Sequence, residues 1–266
     1  MSKKNLAVLV CYYPNYVADA ITWISKILDK LALPFELVIV ANNDKAYSAA
    51  LSFQSQSIKV IKGTNNGWEF SAWDEGWDSI KDPSLFHKVI FVNDTFCQHW
   101  PFSWINVELI SRAIDKQQNN QIIGDIKKFK NNEQLMGLQV KRWMASYLFS
   151  CNSKEIKKLL PFDKIPHYNW HSNITLTNKV IDLKDSSEGM VKHLQDYMFP
   201  TANKGWYNAG ASEQLKRMKL YAIINEITLS AAAEAQGMQL ISFHPYRWMR
   251  SLNRLRRRWH SIKQKN

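Results

Sequence analysis

"KVIFVNDTF", residues 88–96, is an apolar run that stops on Asn93-Asp94-Thr95. Val89, Ile90, Phe91 and Val92 follow one another without a polar break, which reads as a strand buried on both faces of a sheet. Such a strand needs helices above and below it, and the flanking sequence supplies them. Upstream, "NLAVLVCYY" (5–13), "FELVIVANND" (35–44) and "IKVIKGTNNG" (58–67) read as strands, separated by the helical patterns "VADAITWISKILDKL" (17–31) and "EFSAWDEGWDSI" (69–80). Downstream come helix "VELISRAIDKQ" (107–117), strands "QIIGDIKKF" (121–129) and "ASYLFSCNS" (145–153), the long helical segment 213–237 and strand "MQLISF" (238–243). Strands alternating with helices predict an α/β fold: a mostly parallel, Rossmann-type sheet flanked by helices.

The bulk numbers agree. With 266 residues, 45% of them hydrophobic and 12% aromatic, the chain can bury a sizeable core, which excludes disorder as the default. Cys11, Cys97 and Cys151 are far apart and form no CxxC, which argues for a reducing compartment and against a disulfide framework or a zinc site. The opening "MSKKNLAVLVCYYPNY" imitates a signal peptide, but its apolar run is short and reads better as the first buried strand. No apolar run is long enough to span a bilayer. Residues 163–212 are aromatic and polar and read as a loop-rich insertion on the acceptor side of a body that extends over residues 1–243.

In open α/β sheets, ligands bind beyond the carboxyl ends of the strands. Three of those ends carry polar clusters: Asn42-Asn43-Asp44, Asn65-Asn66-Gly67 and Asn93-Asp94-Thr95. Their order resembles that of the GT-A nucleotide-sugar glycosyltransferases. The pairing of "NNGWEFSAW" with "VIFVNDTF" is most similar to the bacterial rhamnan-synthesis F-like branch, which builds cell-surface polysaccharide. The sequence departs from the DxD pattern of these enzymes, since Asn93 and Thr95 stand where acids are expected. A second likeness lies in "NEITLSAAAEAQG" (225–237), similar to the family's ED-x-x-L…G helix, with Glu226 three residues before Leu229 and eleven before Gly237. Asn225 stands where an acid is common.

The resemblance implies a GT-A-like fold, a nucleotide-diphosphate sugar as donor and a glycan, lipid-linked, as acceptor, with partner glycosyltransferases possible in the assembly. It implies that Tyr12, Asn42, Asn65, Gly67, Asn93 and Asp94 line the donor site. It implies a divalent cation, Mg or Mn, held by Asp94, with His244 as a further ligand. It also implies that Glu226 is the general base of an inverting transfer. Each role has a plainer competitor. Asp94 can simply cap the turn after its strand, and Glu226 can be a helix-face acid paired with Lys219. Trp68, Trp73 and Trp77 can wall a pocket or pack the core. Glu69 and Asp74 are candidates for donor-sugar contacts. His167, Trp170, His171, Trp206 and Tyr207 are candidates for an acceptor platform. An alternative of another class is a catalytically silent, membrane-recruited subunit of a polysaccharide assembly complex, which the degenerate Asn93-Asp94-Thr95 favours.

The net charge of +12 is concentrated at one end, because residues 244–266 hold eight basic side chains and no acid. Trp248, Leu252, Leu255, Trp259 and Ile262 step by four, three, four and three, an apolar stripe at helical spacing. Arg247, Arg250, Arg254, Arg257 and Arg258 fall off that stripe. Trp and Leu on one face with Arg on the others describe a helix lying in an anionic membrane interface. A helix docked on its own domain is the competing reading. Nucleic acid is not an expected partner, since the body lacks a basic stripe. The expected place of the protein is cytoplasmic, peripheral on the inner face of the cytoplasmic membrane.

Overall fold

Strands buried on both faces alternate their side chains between two cores, and this chain does so over several consecutive strands. The computed structural model describes residues 3–98, 102–163, 174–177, 179–200 and 210–243. In chain order the elements are β1 (Lys4–Cys11), α1 (Val17–Leu28), β2 (Phe35–Ala41), α2 (Asp44–Leu51), β3 (Ile58–Lys62), α3 (Trp68–Asp78), β4 (Phe86–Asn93) and α4 (Trp104–Asp115). They continue with β5 (Gln121–Leu135), β6 (Leu138–Asn152), β7 (Ile174–Thr177), β8 (Val180–Leu183), α5 (Glu188–Met198), α6 (Glu213–Ala235) and β9 (Gln239–Ser242). Among the described residues, seven strands form one sheet in the order β3-β2-β1-β4-β6-β5-β9. Strand β6 runs against both its neighbours, and the remaining pairings are parallel. The mostly parallel, helix-flanked sheet expected from the alternation is what the chain forms.

The two cores follow the period of two. Leu6, Val8, Val10, Val38, Val40, Val89 and Phe91 point into the layer beneath α3 and α6, while Ala7, Leu9, Cys11, Leu37, Ile39, Ile90 and Val92 point into the layer beneath α1 and α4. Gly76 lets α3 lie close on the sheet, since a Cβ there would fall 2.4 Å from Val8 Cγ1. Lys88 is a buried cation in β4, and its Nζ donates to the carbonyls of Ile114 (2.5 Å) and Asp115 (2.7 Å) at the end of α4. A cation suits the negative end of a helix, and the unpaired carbonyls there give it acceptors. All three cysteines are buried and free, as their spacing predicts.

Three features differ from the sequence reading. Helix α2 follows β2 at once, with Asn43 as its N-cap accepting from the Ala46 amide at 2.9 Å, where the sequence reading saw only a polar cluster. Strands β5 and β6 run on well past their apolar parts as a hairpin, turning at Met136 and Gly137, both at positive φ. The described part of the stretch 163–212 is not loop alone: β7 and β8 pair as a ribbon with alternating burial, and α5 packs Met190, Leu194 and Met198 inward. The basic tail, 244–266, lies outside the described residues.

Candidate functional site

Parallel strands deliver their carboxyl ends to one edge, and the predicted donor residues meet there. At the end of β4 the Asp94 amide bonds to the Val10 carbonyl at 2.9 Å, and at the end of β2 the Asn42 amide bonds to that of Cys11 at 2.8 Å. Asp94 is buried, and its Oδ2 accepts from the amides of Tyr12 and Tyr13, each at 2.7 Å. Burial pushes its carboxyl up to about 6, against the pull of those two amides, and the nearby Glu69 charge pushes the same way. Asn93 Oδ1 accepts from the Thr95 amide (3.2 Å) and hydroxyl (2.7 Å), which closes the turn after the strand. Asn42 donates through Nδ2 to the Trp68 carbonyl at 3.1 Å, and its Oδ1 is buried without a partner among the described residues. Asn65 and Trp68 take left-handed backbone conformations, and between them the Gly67 amide donates to Ser71 Oγ at 2.8 Å. A Cβ on Gly67 would meet Ser71 and Asp163 at 3.1–3.3 Å, so Gly67 serves close packing at the start of α3.

These contacts make Asp94 a tie between β4 and the β1 turn. Asp94→Asn can keep one oxygen for both amides and should change stability by less than about 1 kcal/mol. Asp94→Ala strands two inward-facing donors and should cost roughly 2–4 kcal/mol in chemical denaturation. Equal loss in the two variants would refute the tie.

The second part of the site is a cavity of about 130 Å³, whose lining includes Glu69, Trp143, Ser146, His193, Tyr197, Lys219 and Glu226. Its floor comes from α6 and a break in β6. The ladder between β5 and β6 passes from Gly124↔Phe149 to Asp125↔Ala145, so residues 146–148 bulge out of register. A bulge releases backbone groups and re-aims side chains. Here the freed Ser146 amide donates to Glu226 Oε2 at 2.7 Å, the Trp143 indole N–H donates to Oε1 at 3.1 Å, and the Ser146 hydroxyl reaches Glu69 Oε1 at 3.2 Å. Ser146 therefore holds two carboxylates side by side.

Glu226 belongs to a ladder of its own. Every fourth residue of α6 meets every second residue of β6: Glu226 with Ser146, Ser230 with the Met144 amide, and Glu234 with Arg142. The match is geometric, since four helical residues rise about 6 Å and two strand residues about 6.6 Å. The last two rungs carry no chemistry. The first one lies in the cavity wall, where burial raises the Glu226 pKa, the Ser146 contacts lower it, Glu69 raises it and Lys219 lowers it. A carboxylate with a raised pKa is a better proton acceptor. Above it, Trp143 packs on Phe129 with centroids 4.4 Å apart, and His193 meets both rings edge-on; burial lowers the His193 pKa.

The structure places several of the other candidates. Trp73 and Trp77 are core residues, and Trp68, half-buried and packed against that core, has Lys219 Nζ 5.1 Å from its ring centroid. Asp74 takes the amides of Phe162 (2.8 Å) and Asp163 (3.1 Å), a backbone tie whose burial pushes its carboxyl up to about 7. Glu69 is the acid of that helix which lies in the cavity wall. Trp143, Ser146 and His193 were missed, although Gly124 inside "QIIGDIKKF" is a signal for a bulge. His244, the acceptor-platform candidates His167, Trp170, His171, Trp206 and Tyr207, and the membrane residues lie outside the described residues. Among the described residues, no three acids, histidines or cysteines gather into a metal centre. Asp94 gives its Oδ2 to the amides of Tyr12 and Tyr13. No helix of the described residues is long and apolar enough to cross a membrane.

Neither a protein-family model nor a curated protein sequence matches the chain. Solved structures overlap it in part. A 4-diphosphocytidyl-2C-methyl-D-erythritol synthase from Anaerococcus prevotii is 13% identical over 59% of this chain and 74% of its own, with a TM-score of 0.41. Staphylococcus aureus TarS, residues 1–349, is 13% identical over 58% of this chain and 48% of its own, with a TM-score of 0.37. A protein from Desulfovibrio desulfuricans named as a nucleotide-diphospho-sugar transferase is 14% identical over 64% of this chain and 71% of its own, with a TM-score of 0.34. Overlaps this loose carry no argument about function, which rests on the cavity and the strand ends.

Proposed function

We propose that the chain is an inverting glycosyltransferase that moves a sugar from a nucleotide-diphosphate sugar to a hydroxyl of a growing bacterial cell-surface glycan of the lipopolysaccharide O-antigen or capsule type. The observation that carries the reading is Glu226: a carboxylate with raised pKa, gripped by Ser146 and Trp143 in a cavity next to the carboxyl ends of the sheet. In this scheme an acceptor hydroxyl enters between Glu226 and the aromatic wall of Trp143 and His193. Glu226 takes its proton as the new bond to the anomeric carbon forms. The nucleotide lies over the ends of β1, β2 and β4, beside Asn42 and Asn93, the exposed Tyr12 and the left-handed turn at Asn65. The rhamnan-synthesis F-like likeness of the sequence supports the substrate class.

The basic stripe of residues 247–259 supports a lipid-linked acceptor and attachment to the inner face of the cytoplasmic membrane. The silent-subunit reading draws support from Asp94, whose carboxylate serves the fold. The test is a panel of nucleotide sugars, read by thermal shift and by release of nucleoside diphosphate in the presence of anionic vesicles carrying lipid-linked glycan. The transferase reading expects one donor both to raise the melting temperature and to be consumed. Stabilisation without turnover would favour the silent subunit, and no response to any donor would overturn both.

A further inference from the structure

Resting on the transferase reading, we propose that Lys219, in place of a divalent cation, takes up the charge of the leaving nucleoside diphosphate. The described donor set is poor for a cation. Asp94 spends Oδ2 on two amides, and Glu69 and Glu226 are drawn to Ser146 and Trp143, so the carboxylates form a string and not a cluster. The cavity does contain an ammonium. Lys219 shares its lining with Glu69 and Glu226, and its Nζ lies over the Trp68 ring, 5.1 Å from the centroid. Trp68 in turn is fastened to the end of β2, where its carbonyl accepts from Asn42 Nδ2 at 3.1 Å. Lys219 thus stands between the nucleotide edge and the base.

The spacing on α6 fits one sugar between them. Lys219 and Glu226 are seven residues apart, two turns on the same helix face and about 10 Å along the axis. In an inverting transfer the acceptor oxygen bonds to the anomeric carbon on one side while the carbon–phosphate oxygen bond breaks on the other. The electron pair leaves with the diphosphate, and the acceptor's proton goes to Glu226. Negative charge grows at the diphosphate, on the side where Lys219 is offered, and a fixed cation there stabilises the departing group. Two carboxylates in the same cavity explain why a lysine is held there before the donor arrives.

The test uses the full chain and measures binding of UDP, GDP, CDP, ADP and dTDP by calorimetry in EDTA and again with Mn²⁺. The expected result is that one diphosphate binds in EDTA with an affinity that Mn²⁺ leaves unchanged. Lys219→Met should then weaken it by about tenfold or more, the size of one charge-assisted hydrogen bond. Lys219→Arg should restore most of it, and the matching nucleoside should bind all three proteins alike. Melting temperatures confirm that each variant is folded. Binding that requires Mn²⁺, or a Lys219→Met protein with wild-type affinity, overturns the role of Lys219 and leaves the transferase reading standing. A folded protein that binds no nucleoside diphosphate under either condition overturns both.

Discussion

Glu226→Gln should cut sugar transfer by roughly a hundredfold or more while leaving donor binding in place. Glutamine keeps the length and one carbonyl oxygen, so one of the two donors that hold Glu226, the Ser146 amide or the Trp143 indole, retains an acceptor. What disappears is the ability to receive a proton. The pH dependence gives a second readout. The wild-type base works only when ionised, and burial places its pKa above the ordinary carboxylate range, so activity should rise with pH through that elevated value. Losing Glu69 removes a neighbouring negative charge, so Glu69→Gln should move the rising limb to lower pH without abolishing turnover. A Glu226→Gln protein that loses donor binding, or one that transfers at near wild-type rate, would make Glu226 simply the first rung of the α6–β6 ladder.

That ladder shows why the site was only partly legible. Strands β1, β2 and β4 announce themselves because both faces are buried, so nearly every position is apolar and the carboxyl ends can be located to the residue. The polar residues at those ends were legible for the same reason. Beyond Lys127, β5 is half exposed and reads "KFKNNEQL", charged and without an apolar period, although it pairs with β6 as far as Leu135. The Glu226 position was visible as a motif, but its partners were not. Ser146 and Trp143 are three apart in a strand and would face opposite ways if the pleat were regular. The register break at residues 146–148 brings both to the same carboxylate. A bulge is decided by tertiary packing, and Gly124 was its one local trace. Aromatic spacing left two readings open, pocket wall or core, since Trp68, Trp73 and Trp77 resemble one stripe in sequence. On the helix, Trp73 and Trp77 lie with Phe70 on the buried face, and Trp68 stands at the start with φ +56°, turned toward Lys219.

Trp73→Ala should be the most damaging single substitution in the fold, costing about 3–5 kcal/mol, the usual range for a fully buried large aromatic. Trp73 is inaccessible to solvent and sits among Phe70, Phe91, Phe149 and Phe162, with ring centroids 5.2–6.0 Å away in edge-on contacts. Its indole N–H donates to the Val92 carbonyl at 3.3 Å, just before the Asn93 turn. These contacts join α3 to β4 and β6, so the truncation opens a cavity at the junction of three elements. Domains of this kind have about 5–15 kcal/mol of stability in total, so the melting temperature should fall by roughly 10 °C. Trp73→Phe keeps a ring and loses only the hydrogen bond and part of the volume, and should fall well short of that cost. The effect should reach the site as well. Glu69 lies one helical turn before Trp73, and its Oε1 meets Ser146 across the cavity, so α3 must be seated for the two carboxylates to stand side by side. In Trp73→Ala the pH limb assigned to Glu226 should therefore shift even at temperatures where the protein remains folded. Loss of less than about 1 kcal/mol, measured by denaturant unfolding, would show that the aromatic cluster repacks around the gap and that α3 is held elsewhere.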